Sequence, residues 1–292
     1  MEDFENWIEA GKIAKEALEY GKRLAKPGIK LLELAKEIEG KIKELGGKLA
    51  FPVNLSLNNI AAHSIPMSDD ERVLKEDDIL KIDVGVHVNG CIGDTACTVG
   101  NNKKLIMASE DALTSAIEYV KRNANKIVLC EIGRIIQEKI QSYGFSPIRN
   151  LSGHSIDKYN LHSGLTIPNY DNGDTTSIEG DFVFAIEPFA TDGKGIVKDG
   201  KYSGIYRLEE KRPTRNPIAR KVLEHIEKEF NGLPFSKRWL LQFKGINFAL
   251  NTLEKEGILH HYKELKEEGD GLVSQAEHTI LIKDGKAIVT TS

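Results

Sequence analysis

The chain has 292 residues, 40% of them hydrophobic and 29% charged, a globular composition with enough apolar mass for a sizeable core, which excludes a disordered chain. The net charge of −4 excludes a globally basic nucleic-acid binder, and no stretch approaches the roughly 20 apolar residues of a membrane span. The N-terminus is rich in acids and lysines and does not read as a secretory signal. Cys91, Cys97 and Cys130 are too few and too irregular for a disulfide framework or a zinc site, and fit unpaired thiols in a reducing cytoplasm.

In chain order, Phe4, Trp7, Ile8, Gly11, Ala14, Leu18, Gly21 and Ala25 recur at helical spacing and predict a helix over 4–25, ended by Pro27-Gly28. Leu31, Leu34, Ala35, Ile38, Ile42 and Leu45 predict a second helix, stopped by Gly46-Gly47. Residues 79–88 alternate as a strand, with Leu80, Ile82, Val84, Val86 and Val88 on one face and Lys81, Asp83, Gly85 and His87 on the other. Residues 105–143 read as helical, 145–187 as strand and loop, and 182–187 as a strand that carries Glu187. Residues 213–260 read as a helical block, with Trp239 to Phe243 and Ile246 to Leu259 as two of its helices. Asp284-Gly285 joins 279–283 and 286–290 in a closing hairpin. Helices followed by strands occur twice, which predicts an α+β class with an antiparallel-rich sheet.

Five residues stand out by context: Asp83, Asp94, His154, Glu187 and Glu277. Each acid lies in or beside an apolar strand, where an unpaired carboxylate is costly. Taken singly, each is most simply an ion pair or a backbone hydrogen-bond acceptor. Lysine and arginine are scarce beside Asp94, His154, Glu187 and Glu277, and four carboxylates with one imidazole match two divalent cations in charge. Such donors suit Mn, Fe, Co or Zn without selecting among them.

These residues lie in segments that resemble the methionine aminopeptidases, in particular the type II branch of archaea and eukaryotes. The matching segments are F-P-V-N-L-S-L-N-N-I-A-A-H (51–63), K-I-D-V-G-V-H-V-N-G-C-I-G-D-T (81–95), S-G-H (152–154), Y-N-L-H-S-G (159–164), F-A-I-E-P (184–188), R-W-L (238–240) and Q-A-E-H-T (275–279). The absence of a polybasic N-terminal extension points to the archaeal side. The resemblance implies a pita-bread fold: a curved antiparallel sheet flanked by helices in pseudo-twofold halves. It also implies one catalytic domain over 1–292, with a helical insertion subdomain over 190–268.

By the same resemblance, Asp83 chelates one metal ion, Asp94 and Glu277 bridge two, and His154 and Glu187 hold the other. Glu187 doubles as acid and base for a metal-activated water that attacks the scissile carbonyl. His63 contacts the substrate amide nitrogen and His162 the carbonyl oxygen. Phe51, Leu161, Ile205 and Tyr262 line the methionine pocket. The implied substrate is the N-terminal methionine of nascent polypeptides with a small second residue, removed in the cytoplasm by a monomer, with no DNA or membrane partner. The basic run Arg207, Lys211, Arg212, Arg215, Arg220 and Lys221 offers a surface to the ribosome, although a solvated face is the simpler reading. His260-His261 reads as an exposed helix end rather than a metal site. The rivals are a prolidase or aminopeptidase P, and a pita-bread binding module that has lost its ligands.

Overall fold

The computed structural model describes residues 3–292. The first half opens with helices α1 (Phe4–Leu24) and α2 (Leu31–Glu44), then strands β1 (Asn54–Leu57), β2 (Ile60–Ala62), β3 (Ile79–Val88) and β4 (Cys91–Gly100). The second half repeats that order with α3 (Lys103–Arg122), α4 (Leu129–Ser142), β5 (Ser152–His154) and β6 (Phe182–Ile186). It continues with β7 (Val197–Leu208), α5 (Pro217–Phe230), α6 (Ile246–Lys255), β8 (Leu259–Glu267), β9 (Glu277–Lys283) and β10 (Lys286–Val289). A seven-stranded antiparallel sheet runs from Lys48–Leu49 through β3, β4 and β9 to β6, with β1 beside β3 and β10 beside β9.

The two faces of β3 explain the layering. Leu80, Ile82, Val84 and Val86 pack under Ile13, Leu18, Leu31, Leu34 and Ile38 of the first helix pair. Leu105, Ala112, Ile132 and Ile136 of the second pair cover Phe184, Ile280 and Ile282 in the same way. Both helix pairs therefore take the outer face, and the polar row of β3, including Asp83, is left on the inner one. This is the helices-around-a-sheet arrangement that the resemblance implies. α1 lies close because its buried stripe is largely small: at Gly11 a β-carbon would strike the carbonyl of Thr290.

Several boundaries differ from the sequence reading. α1 stops at Leu24, short of Pro27-Gly28. Residues 105–143 hold two helices, as expected from helices followed by strands occurring twice, but with the short strand Ile127–Val128 between them. In the block over 213–260, Trp239 lies in a single 3-10 turn, Lys237–Leu240, rather than a longer helix. α6 ends at Lys255, because Gly257 adopts φ +69° and Leu259 begins β8. His260 and His261 are therefore strand residues, not a helix end. β7 and β8 pair, with Tyr206 opposite His261, and α5 and α6 cover them through Val222, Leu223, Leu250 and Leu253. The closing hairpin forms as expected: Lys283 pairs with Lys286, and Asp284 and Gly285 both take positive φ.

An ion pair ties this helical layer to the first half. Arg238 donates to Glu39 of α2 through Nη2 at 2.7 Å and Nη1 at 3.0 Å, and its Nε donates to the Pro66 carbonyl at 3.2 Å. Trp239 Nε1 adds a bond to Glu39 at 3.3 Å. Both charged side chains are nearly inaccessible, so removing one partner strands the other. Arg238→Ala should lower unfolding stability by about 3–5 kcal/mol in urea titration, whereas a Glu39→Leu/Arg238→Met pair should recover most of that loss.

Candidate metal centre and active site

Strand register gathers the five residues. Asp83 on β3 pairs with Ala96 on β4, and Ala96 pairs with Glu277 at the start of β9. Cross-strand partners share a face, so Asp83, Ala96 and Glu277 form one row, and Asp94, two residues before Ala96, projects from that same face. Ile186 pairs with His278, so Glu187 comes level with Glu277 one residue later. The bridge between Ser155 and Phe184 holds β5 against β6 and brings His154 alongside.

Threonine hydroxyls extend the β4–β9 seam where main-chain pairing is short. Thr279 Oγ1 accepts from the Asp94 N–H and donates to the Asp94 carbonyl, both at 2.8 Å. Thr95 Oγ1 donates to the Glu277 carbonyl at 2.8 Å, and Thr98 Oγ1 donates to the Gln275 carbonyl at 2.7 Å. The backbones of Asp94 and Glu277 are therefore held by bonds that leave their carboxylates free.

His154 Nε2 lies 3.5 Å from Asp94 Oδ2 and 3.7 Å from Glu187 Oε1. Asp94, His154 and Glu277 bring one donor atom each within 4.8 Å of one another. Asp83 Oδ1, Asp94 Oδ1 and Glu277 Oε1 are buried with no hydrogen-bond partner. Burial, followed by mutual repulsion, pushes the carboxyls of Asp83, Glu187 and Glu277 well above the usual range. Burial also raises Asp94, against the opposing pull of His154. No lysine or arginine among the described residues pairs with these acids. The buried Lys81 donates instead to the Asn58 carbonyl, at 2.6 Å. Unpartnered oxygens in a cluster of carboxylates with one imidazole fit divalent cations, which would stabilise the ionised forms that burial opposes.

The cluster forms the base of a cavity of about 310 Å³. Its walls contain all the residues singled out in the sequence: Phe51, His63, Leu161, His162, Ile205 and Tyr262 stand beside the five ligand-type side chains. Phe51 lies over Gly85, where any β-carbon would run into the ring. His63 adopts φ +61°, rare for a residue other than glycine, and its Nδ1–H donates to the Lys263 carbonyl at 3.3 Å. Tyr262 meets that imidazole edge-on at 5.2 Å, and His162 meets His154 at 4.3 Å. Burial lowers His63 to about 4, and burial with the neighbouring His154 lowers His162 to about 3, so both are neutral near pH 7.

Some site residues were not singled out from the sequence. Asn54 pairs with Asp83 and faces the cavity, and Gln275 Nε2 donates to Glu277 Oε2 at 3.2 Å. Gln275 had a signal: it stands two residues before Glu277, hence on the same side of an extended segment. Thr279 had the same relation on the other side.

The model of metallopeptidase family M24 matches residues 5–284. A methionine aminopeptidase of Methanocaldococcus jannaschii is 48% identical over 295 residues, covering 100% of this chain and 99% of the relative. One of Pyrococcus abyssi is 48% identical, covering 99% of each. Among solved structures, a thermophilic Arx1 superposes with a TM-score of 0.84 at 16% identity, over 98% of this chain and 89% of that one. Methionine aminopeptidase from Rickettsia prowazekii gives 0.70 at 22% identity, over 99% and 97%. The curled sheet, the carboxylate cluster and these full-length matches agree: the chain belongs to metallopeptidase family M24, in the archaeal, type II branch of the methionine aminopeptidases.

Proposed function

We propose that the chain removes the N-terminal methionine from nascent polypeptides whose second residue is small, and that it does so in the cytoplasm as a monomer. The observation that carries this reading is the pairing of unpartnered carboxylate oxygens with an apolar wall in one cavity. No helix among the described residues is long and apolar enough to cross a membrane. We take 1–292 as one catalytic domain with 190–268 as its insertion subdomain. The exposed basic residues Lys211, Arg212, Arg215, Arg220 and Lys221 are where contact with the ribosome would fall.

In this reading Asp83, Asp94, His154, Glu187 and Glu277 would hold two divalent ions, Co, Mn, Fe or Zn. When bound, such ions supply Lewis acidity, making water acidic and polarising a carbonyl. Glu187 would take a proton from the attacking water and pass it to the leaving amide nitrogen. Because His63 commits its Nδ1–H to Lys263, its Nε2 presents a lone pair, which accepts from the amide N–H of the scissile bond. His162 is neutral and turns one ring N–H toward the scissile carbonyl oxygen. Phe51, Leu161, Ile205 and Tyr262 enclose the thioether side chain. A small second residue lies against the rim, whereas a bulky one displaces the carbonyl from these donors.

Incubation with Mn or Co and two peptides tests the reading: Met-Ala-Ser should release Met while Gly-Pro stays intact. Cleavage of Gly-Pro alone would select a prolidase, and cleavage of neither a binding module. Glu187→Gln should keep the far-UV circular dichroism spectrum but lose roughly a thousandfold in kcat, and a wild-type rate would remove Glu187 from the acid–base role. pH gives a further prediction. Without metal, the folded site keeps protons that the unfolded chain loses above the ordinary carboxylate range, so its contribution to stability falls as pH rises. Bound cations displace those protons, so the increase in Tm on adding Mn should be larger at about pH 8 than at about pH 6.5. An equal increase at both would contradict the raised carboxyls.

A further inference from the structure

A second cavity, of about 390 Å³, adjoins the first and shares His63, Tyr262 and Leu265 with it. Asp199, Tyr202, Glu254, His260 and His261 are among its other walls, and the reaction described above uses none of them. The shared residues are half-buried, whereas Phe51, Leu161 and Ile205 are buried. A substrate whose first side chain fills the buried end therefore leaves past His63 and Tyr262.

One wall of this second cavity is an open strand edge. β8 pairs with β7 along one side, while β2 covers the other side only at Leu265 and Lys266. Beyond them the Lys263 carbonyl accepts from His63, and toward Leu259 no described strand pairs with that edge. Ser203 Oγ donates to the Tyr262 carbonyl from the β7 side. Alternation along an antiparallel strand then turns the N–H and C=O of His261 toward the open edge, as it does those of Lys263. Such an edge is a template for an added extended chain.

The side chains around the edge suit a polypeptide. The rings of His63, Tyr262 and His260 follow one another edge to face, at 5.2 and 4.6 Å, from one cavity into the next. Tyr202, 56% exposed, stacks on His261 at 4.4 Å. Asp199 is neutralised by Lys263 at 2.9 Å. Glu254 lies 3.4 Å from His261 Nδ1, and His261 Nε2 accepts from the Gly204 N–H at 3.2 Å. That imidazole therefore carries a single proton and no charge, so it does not neutralise the Glu254 carboxylate.

We propose that this groove binds the substrate polypeptide beyond its second residue, as a strand added to the open edge of β8, with Glu254 favouring cationic side chains at the third to fifth positions. The inference rests on the aminopeptidase reading above, and the experiment separates the two. C-terminally amidated Met-Ala-Ser, Met-Ala-Ser-Lys-Lys and Met-Ala-Ser-Glu-Glu are compared with the metal-loaded enzyme. The lysine pentapeptide should exceed the tripeptide in kcat/KM by about tenfold, through KM, and the glutamate pentapeptide should stay within about twofold of the tripeptide. Glu254→Gln should abolish the difference between the two pentapeptides, and Tyr202→Ala most of the gain with length, with the tripeptide rate unchanged in both. Equal values for tripeptide and pentapeptides would overturn the proposal. So would a gain that survives both substitutions but is lost in Glu209→Gln, in the cavity that meets the first at Leu161, His162 and Pro234. Failure to cleave even the tripeptide would instead overturn the aminopeptidase reading.

Discussion

Four carboxylates cannot remain ionised together in a buried cavity unless positive charge is placed among them. Asp83, Asp94, Glu187 and Glu277 are brought into that position by the register of β3, β4, β9 and β6, and among the described residues the one basic side chain within ion-pair distance of them is His154. The rest of the inner face follows from this constraint. Ala96 stands in the row between Asp83 and Glu277 with only a methyl group, and the available cation Lys81 is tethered to the Asn58 carbonyl. Burial that would otherwise destabilise the fold is thereby converted into affinity for divalent metal.

Precision at the cluster comes mainly from the backbone, beside the Gln275 bond to the Glu277 carboxylate. Thr279, Thr95 and Thr98 fasten the strands on either side of Asp94 and Glu277, leaving oxygens free for a cation. β8 does the corresponding work on the substrate side. Its Lys263 carbonyl fixes the His63 tautomer, its Tyr262 walls the cavity, and its uncovered edge continues outward from both. The Glu39–Arg238 pair holds the layer that covers β7 and β8 against α2, so the position of the substrate side depends on a charge pair remote from the metal side.

Much of this was legible in the sequence, for physical reasons that differ by element. Strand β3 was read to its ends because a period-2 pattern with one wholly apolar face has a single sensible orientation. The hairpin at Asp284-Gly285 was read from turn chemistry alone. The helical block over 213–260 was read poorly past Lys255: the apolar positions of α6 run on through Ile258 and Leu259, and the positive φ of Gly257 separates helix from strand. That error hid the stacking of His261 between Tyr202 and Tyr206, since a helix end and a strand edge expose different faces. At the site, ligand-type residues were visible as costly acids in apolar strands, and the resemblance supplied their grouping. Asn54 and Glu39 were not visible, because a polar residue with a remote partner reveals it only when distant segments meet, as Glu39 and Arg238 do across 199 positions.

Strand register, rather than local sequence, assembles the carboxylate and imidazole cluster for which two divalent cations are proposed. Anomalous diffraction from crystals grown with Mn, recorded near the Mn absorption edge, tests it most directly. Two peaks are expected among Asp83, Asp94, His154, Glu187 and Glu277, with Asp94 and Glu277 lying between them. No peak in this cavity, or ordered manganese bound only elsewhere on the chain, would contradict it.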